Sequence, residues 1–125
     1  MTDSLVQVLW VPGPMPSLNQ LIGGKVRDRI RLKRQWIDVV VALSRIHRLR
    51  PMGPVRMAYE FFEGKGHPRD PLNILAGAAK IIEDALVQAD VLVDDNRSVI
   101  RGIELRSIID RPAKPGVLVE LRDAA

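Results

Sequence analysis

Two groups of residues in this chain carry side chains suited to chemistry: Arg69-Asp70-Pro71-Leu72-Asn73 and, further on, Asp94-Asp95. The stretch between them has helical periodicity and contains Lys80. Carboxylate oxygens are hard ligands of the kind a divalent cation prefers. A lysine nearby is placed to meet a phosphate or charge developing at a scissile bond. In a basic chain this layout predicts a metal-dependent enzyme acting on a phosphate backbone, with Asp70, Asp95 and Lys80 as catalytic candidates. Leu72 departs from it, an apolar side chain where a second carboxylate would serve.

Each group also has a purely structural reading. Asp70 before Pro71 is a good helix start, because Asp accepts hydrogen bonds from first-turn amides and Pro suits the first helical position. Capping needs only one carboxylate oxygen, so it is compatible with binding a metal. Asn73, Gly77, Lys80 and Asp84 recur at helical spacing and form one stripe. Gly77 leaves room there for something to approach the backbone; the structural alternative is a solvated face with a weak Lys80–Asp84 pair. Asp94 and Asp95, if extended, point to opposite faces, so one of them faces a site. Asp95 is the first choice of ligand and Asp94 the second, against the alternative of an acidic turn.

The basic run Lys25, Arg27, Arg29, Arg31, Lys33, Arg34 is broken by Asp28. It reads either as a phosphate-contacting surface or as a solvated helix entrance. Aromatic residues are sparse and fall at core-like positions, which argues against a base-stacking platform. His47 and His67 do not form a metal-binding pair, and His67 reads as a turn residue. Gly23-Gly24-Lys25 lacks the spacing of a nucleotide-binding loop, and no nucleophile elbow is present.

The elements that must hold these groups follow from pattern. Residues 5–11 read as a strand stopped by prolines, and 17–25 as a loop able to pack over a ligand. Residues 30–48 read as a helix, with Leu32, Trp36, Val39, Val40, Leu43 and Ile46 at helical spacing. Residues 55–62 alternate as a strand, and 64–68 form a turn. A second helix runs from Asp70 or Pro71 to about residue 89. Residues 98–109 and 117–122 read as strands joined as a hairpin across Pro112, Pro115 and Gly116. The order β-α-β-α-β-β predicts a single domain over residues 1–125, an α+β fold with helices packed on a mixed sheet.

With 125 residues, 46% hydrophobic and 27% charged, the composition is that of a globular domain. The net charge of +4 points to a polyanionic partner. The absence of cysteine excludes disulfides and thiolate metal sites. No apolar stretch reaches membrane-spanning length, and Asp3 precedes the first apolar stretch without a basic region, so neither a membrane span nor a signal peptide is expected. The expectation is a soluble, cytoplasmic protein.

Taken together, the segments resemble the RusA family of Holliday junction resolvases, common in phages and prophages. Pro16-Ser17-Leu18-Asn19 looks like the family's Pro-Ser-x-Asn loop. The basic first helix with Trp36 follows, then Arg-Asp-Pro-x-Asn from Arg69, Lys80, Asp84-Ala85-Leu86 and Val91 to Asp95. The resemblance covers nearly the whole chain and implies a homodimeric, Mg2+-dependent endonuclease that nicks four-way junction DNA symmetrically in a bacterial or phage-infected cell. Mn2+ would be a possible substitute, and no small-molecule cofactor is implied. It assigns metal binding to Asp70 and Asp95, a functional role to Lys80 and DNA contact to Arg69. DNA contact also extends to Asn73 and to Lys25, Arg27, Arg29, Arg31 and Lys33. The family pattern usually reads Asp-x-Asp-Asn, so Leu72 removes a ligand and a negative charge. Either Asp84 or Asp94 compensates, or activity is reduced or lost while junction binding is kept, or residue 72 has been altered.

Overall fold

The computed structural model describes residues 5–64, 66, 68–110 and 112–124. The order is β1 (Val6–Pro12), α1 (Leu18–Ile22), α2 (Val26–Ile46), β2 (Val55–Glu63), α3 (Pro71–Gln88), β3 (Ile100–Asp110) and β4 (Gly116–Asp123). The strands form one mixed sheet in the order β1-β4-β2-β3. The fold is α+β, as the patterning predicts. No helix among the described residues is long and apolar enough to cross a membrane.

Alternation along β2 buries Val55, Met57, Tyr59 and Phe61 on one face. These meet Leu9 and Val11 of β1, Val117, Val119 and Leu121 of β4, and the apolar stripes of α2 and α3 in one cluster. α2 contributes Ile37, Val40 and Val41, and α3 contributes Ile74, Ala78, Ile81, Ile82, Ala85 and Leu86. Small residues on α3 let it lie close to its neighbours.

Three sequence expectations need correction. β3 and β4 are not a hairpin. β2 lies between them, paired parallel with β3 and antiparallel with β4. The crossover through α3 brings β3 back beside β2 in the same direction, as a β-α-β connection requires. β4 then begins beyond β2, with Gly116 opposite Phe62. Passing one strand adds only about 5 Å to the span, so the length of the connection suits either arrangement.

The segment 17–25 is not an open loop. Ser17 and Gln20 form a reciprocal capping box that starts α1. α2 begins at Val26 rather than near Ile30, which places most of the basic run on helix rather than loop. The expected turn at 64–68 and the placement of His67 lie partly outside the described residues.

Gly77 does leave room for an approaching backbone, and that backbone is the chain's own. A Cβ at Gly77 would lie 2.6 Å from the Ser17 carbonyl carbon and 2.7 Å from the Leu18 nitrogen. Gly77 is buried, so the stripe it shares with Asn73, Lys80 and Asp84 is covered at that point.

Candidate active site

α3 carries acidic groups at both ends. At its N-terminus Asp70 is the cap, accepting from the Leu72 and Asn73 amides at 2.9 and 3.2 Å. Both bonds fall on Oδ1, leaving Oδ2 uncommitted. Leu72 beside it is 74% exposed and packs in no core.

The rest of this end is occupied in holding the fold together. Arg69 forms a two-pronged pair with Glu63 at 2.7 and 2.8 Å and donates to the Met15 carbonyl at 2.8 Å. Such paired guanidinium–carboxylate contacts are directional and among the stronger polar contacts. The Asn73 side-chain oxygen accepts from the Asn19 amide at 3.0 Å, pinning α1 to α3. Arg69 and Asn73, expected at DNA, are thus engaged within the protein.

The other end of α3 differs. Glu83, which the sequence reading passed over, lies between Lys80 and Val87 in the helical repeat. Its carboxyl is pushed up to about 7, first by burial and then by the negative charges of Asp95 and Asp84. The Lys80 ammonium and a hydrogen bond from Tyr59 act in the opposite direction. Tyr59 is fully buried, and its hydroxyl lies 3.9 Å from Met57 Sδ. Glu83 lies close enough for its carboxylate and the Tyr59 hydroxyl to perturb each other. Burial, followed by the charge of Glu83, holds the Tyr59 phenol well above its ordinary value.

Asp95 reaches this group from the turn before β3. Its neighbour Asp94 accepts from the Asp95 amide at 2.7 Å and from the Asn96 side chain at 3.1 Å. Asp94 therefore stabilises the turn, while the Asp95 side chain lines a cleft. That cleft, about 650 Å³, lies between α2 and α3 and is lined by Ile30, Lys33, Arg34, Asp84 and Asp95 among others. Lys33 is tied to Asp84 at 3.1 Å. The Lys80–Asp84 pair of the structural alternative is not formed among the described residues: α2 supplies the partner of Asp84, and Lys80 stays exposed beside Glu83.

Asp70 and Asp95 are not gathered into one centre. Asp70 and Glu83 are separated by about 20 Å of helix at about 1.5 Å per residue, and Asp95 belongs with Glu83. Among the described residues no three His, Asp or Glu side chains are grouped to enclose a metal ion. Asp95 and Glu83 nevertheless fit Mg2+, which commonly uses one or two carboxylates and keeps water or takes substrate phosphate in its other positions. Two carboxylates that repel each other are also the charge arrangement a divalent cation relieves.

The basic run divides by commitment. Arg29 donates to the Ile22 carbonyl at 2.8 Å, closing the end of α1. Lys33 is held by Asp84 and Arg34 pairs with Asp38 at 3.5 Å. Lys25, Arg27 and Arg31 are exposed at the start of α2 and make no ion pair among the described residues. No family model and no curated protein matches this chain.

Proposed function

We propose that this chain is a structure-selective DNA endonuclease of the RusA type, acting on four-way junctions as a homodimer in the cytoplasm of a bacterial or phage-infected cell. The observation that carries the reading is the Asp95–Glu83 pair with Lys80, beside a cleft flanked by the cations of α2. Asp95 and Glu83 would hold Mg2+, or Mn2+ in its place. The bound cation would supply an activated water and charge stabilisation at the departing oxygen.

The chain's own residues have separable parts. Lys80 stands free to meet a non-bridging phosphate oxygen as charge builds there. Lys25, Arg27 and Arg31 offer charge to the flanking backbone without reading base sequence. Tyr59 orients the Glu83 carboxyl from within the core. Arg69, Asn73 and Arg29 support the site by fixing α1 and the entrance to α3. Asp70 keeps Oδ2 available but lies away from this group.

A second reading, a junction binder with weakened chemistry, has specific support. Leu72 adds no ligand beside Asp70, and about 20 Å of α3 separates Asp70 from the Glu83 that Asp95 joins. The two readings part in one experiment. A labelled four-way junction and a matched duplex are incubated with the protein and Mg2+ or Mn2+. Paired nicks in the junction, abolished by Asp95→Asn and strongly reduced by Glu83→Gln, are expected for the nuclease. Junction-selective binding without product supports the binder; equal affinity for both DNAs at matched salt refutes both.

A further inference from the structure

The two edges of the sheet are unlike. β3 carries Arg101, Glu104, Arg106 and Asp110 and two irregularities in its register with β2, the charges and bulges that normally blunt an edge against further pairing. β1, at the other edge, has no charged residue from Val6 to Pro12. The Leu5 carbonyl accepts from the Asp123 amide and the Gly13 amide donates to the Pro115 carbonyl, both at 2.9 Å. By antiparallel alternation the odd-numbered residues of β1 then bond to β4, and Val6, Val8 and Trp10 turn their amides and carbonyls outward. Among the described residues nothing bonds to these outward groups.

α2 runs alongside this edge in the opposite direction. Its Trp36 ring lies against Gly13, 3.6 Å from where a Cβ would stand. Past its other end the Arg50 backbone is bonded to the Gln7 side chain at 2.8 and 2.6 Å. Between these anchors an apolar groove of about 410 Å³ opens beside Pro12, Trp36, Val39 and Leu43. On the other face of the sheet Val6 and Val8 are 40% and 50% exposed. A strand added to β1 therefore meets apolar surface on both of its faces. The Gln7 end of the groove is basic: Arg45, Arg48 and Arg50 are exposed and make no ion pair among the described residues. Nucleic acid phosphates would suit those arginines, but they offer no donors to the edge carbonyls and nothing apolar to the groove.

We propose that an extended segment of another protein, apolar in its alternating side chains and acidic at one end, adds to β1 as a further strand of the sheet. Its apolar side chains fill the groove and its carboxylates meet Arg45, Arg48 and Arg50. The proposal does not depend on the nuclease reading. The probe is a phage-displayed library of random linear peptides panned on the wild type; enriched peptides are then synthesised with a fluorophore and measured by anisotropy. Alternating apolar residues with Asp or Glu at one end are expected to be enriched. Val8→Pro deletes one outward amide while sparing the β4 ladder and should weaken binding by about tenfold or more. Val39→Asp places a charge in the groove, and Arg48→Glu with Arg50→Glu reverses the basic end; each should weaken binding as much. Hydrogen exchange at the Val6, Val8 and Trp10 amides should slow when the peptide binds. Urea unfolding checks that each variant is folded. No enrichment, enriched peptides that bind the variants as well as the wild type, or unslowed exchange at these amides overturns the proposal. So does self-association that Val8→Pro abolishes, since a second copy then fills the edge. Loss of duplex DNA binding in the doubly reversed protein, with peptide affinity unchanged, also overturns it and assigns the arginines to nucleic acid.

Discussion

Glu83→Gln tests the electrostatic reading of the cleft without requiring any activity. The Glu83 carboxyl titrates at about 7 in the folded protein against an ordinary 4.5. The native state therefore binds a proton that the unfolded chain has released between those values, and stability falls as pH rises through that window. Below about pH 4 the residue costs nothing by this route; above about pH 7.5 the full penalty applies. A shift of about 2.5 units corresponds to about 3.4 kcal/mol at most. Glu83 is only partly buried, and solvent screening reduces this to about 1–2 kcal/mol. Gln is nearly isosteric, retains an acceptor for Tyr59 and carries no charge. Urea unfolding with a chelator present should show the variant more stable by about 1–2 kcal/mol at pH 8. The two proteins should coincide at pH 4. Asp95→Asn, by removing the second cause of the shift, should reproduce part of the gain. Equal stability of wild type and Glu83→Gln at pH 8, or a difference independent of pH, would refute the argument.

The remaining predictions concern the scaffold, the missing acid and the free cations. Gly77→Ala pushes a Cβ into the backbone at Pro16 to Leu18 and should cost about 1–3 kcal/mol as an overpacked contact, read by urea denaturation. Leu72→Asp should leave stability unchanged or raise it by about 0.3–1 kcal/mol, since it places an acid in the first turn of α3. The same variant should bind Mn2+ more tightly in calorimetry if the Asp70 end has any metal affinity. Arg27→Ala with Arg31→Ala should lower the salt slope of duplex binding by about 1.8, at about 0.9 per phosphate contact. Salt-dependent anisotropy measures that slope, and an unchanged value would show that these arginines do not touch DNA.

Several features are legible in the sequence alone. Alternation marked β2, and apolar spacing marked α2 and α3. Asp70-Pro71 announced a cap, which Asp70 Oδ1 provides. α1 could have been found from Ser17 and Gln20, which stand at capping-box spacing; the glycines at 23 and 24 obscured it. The position of β3 could not, because strand order depends on which side of β2 the crossover returns. Nor could the basic run be divided. Arg29 and Arg31 are alike in sequence, and only the nearby Ile22 carbonyl separates a structural guanidinium from a free one.

Glu83 shows where local pattern stops. It lies at helical spacing from Lys80, which by itself suggests a surface ion pair worth a few tenths of a kcal/mol. Its unusual proton affinity comes from its tertiary setting: burial first, then the negative charge of Asp95 arriving from the turn before β3. The same folding step moves the centre of interest away from Asp70. Asp95 belongs with Glu83, about 20 Å along the helix from Asp70, and no side-chain rotation spans that distance. Chemistry near Asp95 in one chain must therefore draw on Glu83 and Lys80, whereas Asp70 acts in that chain as a helix cap with one oxygen to spare. Substitutions at residues 70 and 95 should accordingly separate: Asp70→Ala first lowers stability by about 1 kcal/mol through the lost cap, while Asp95→Asn leaves the fold intact and changes the charge of the cleft.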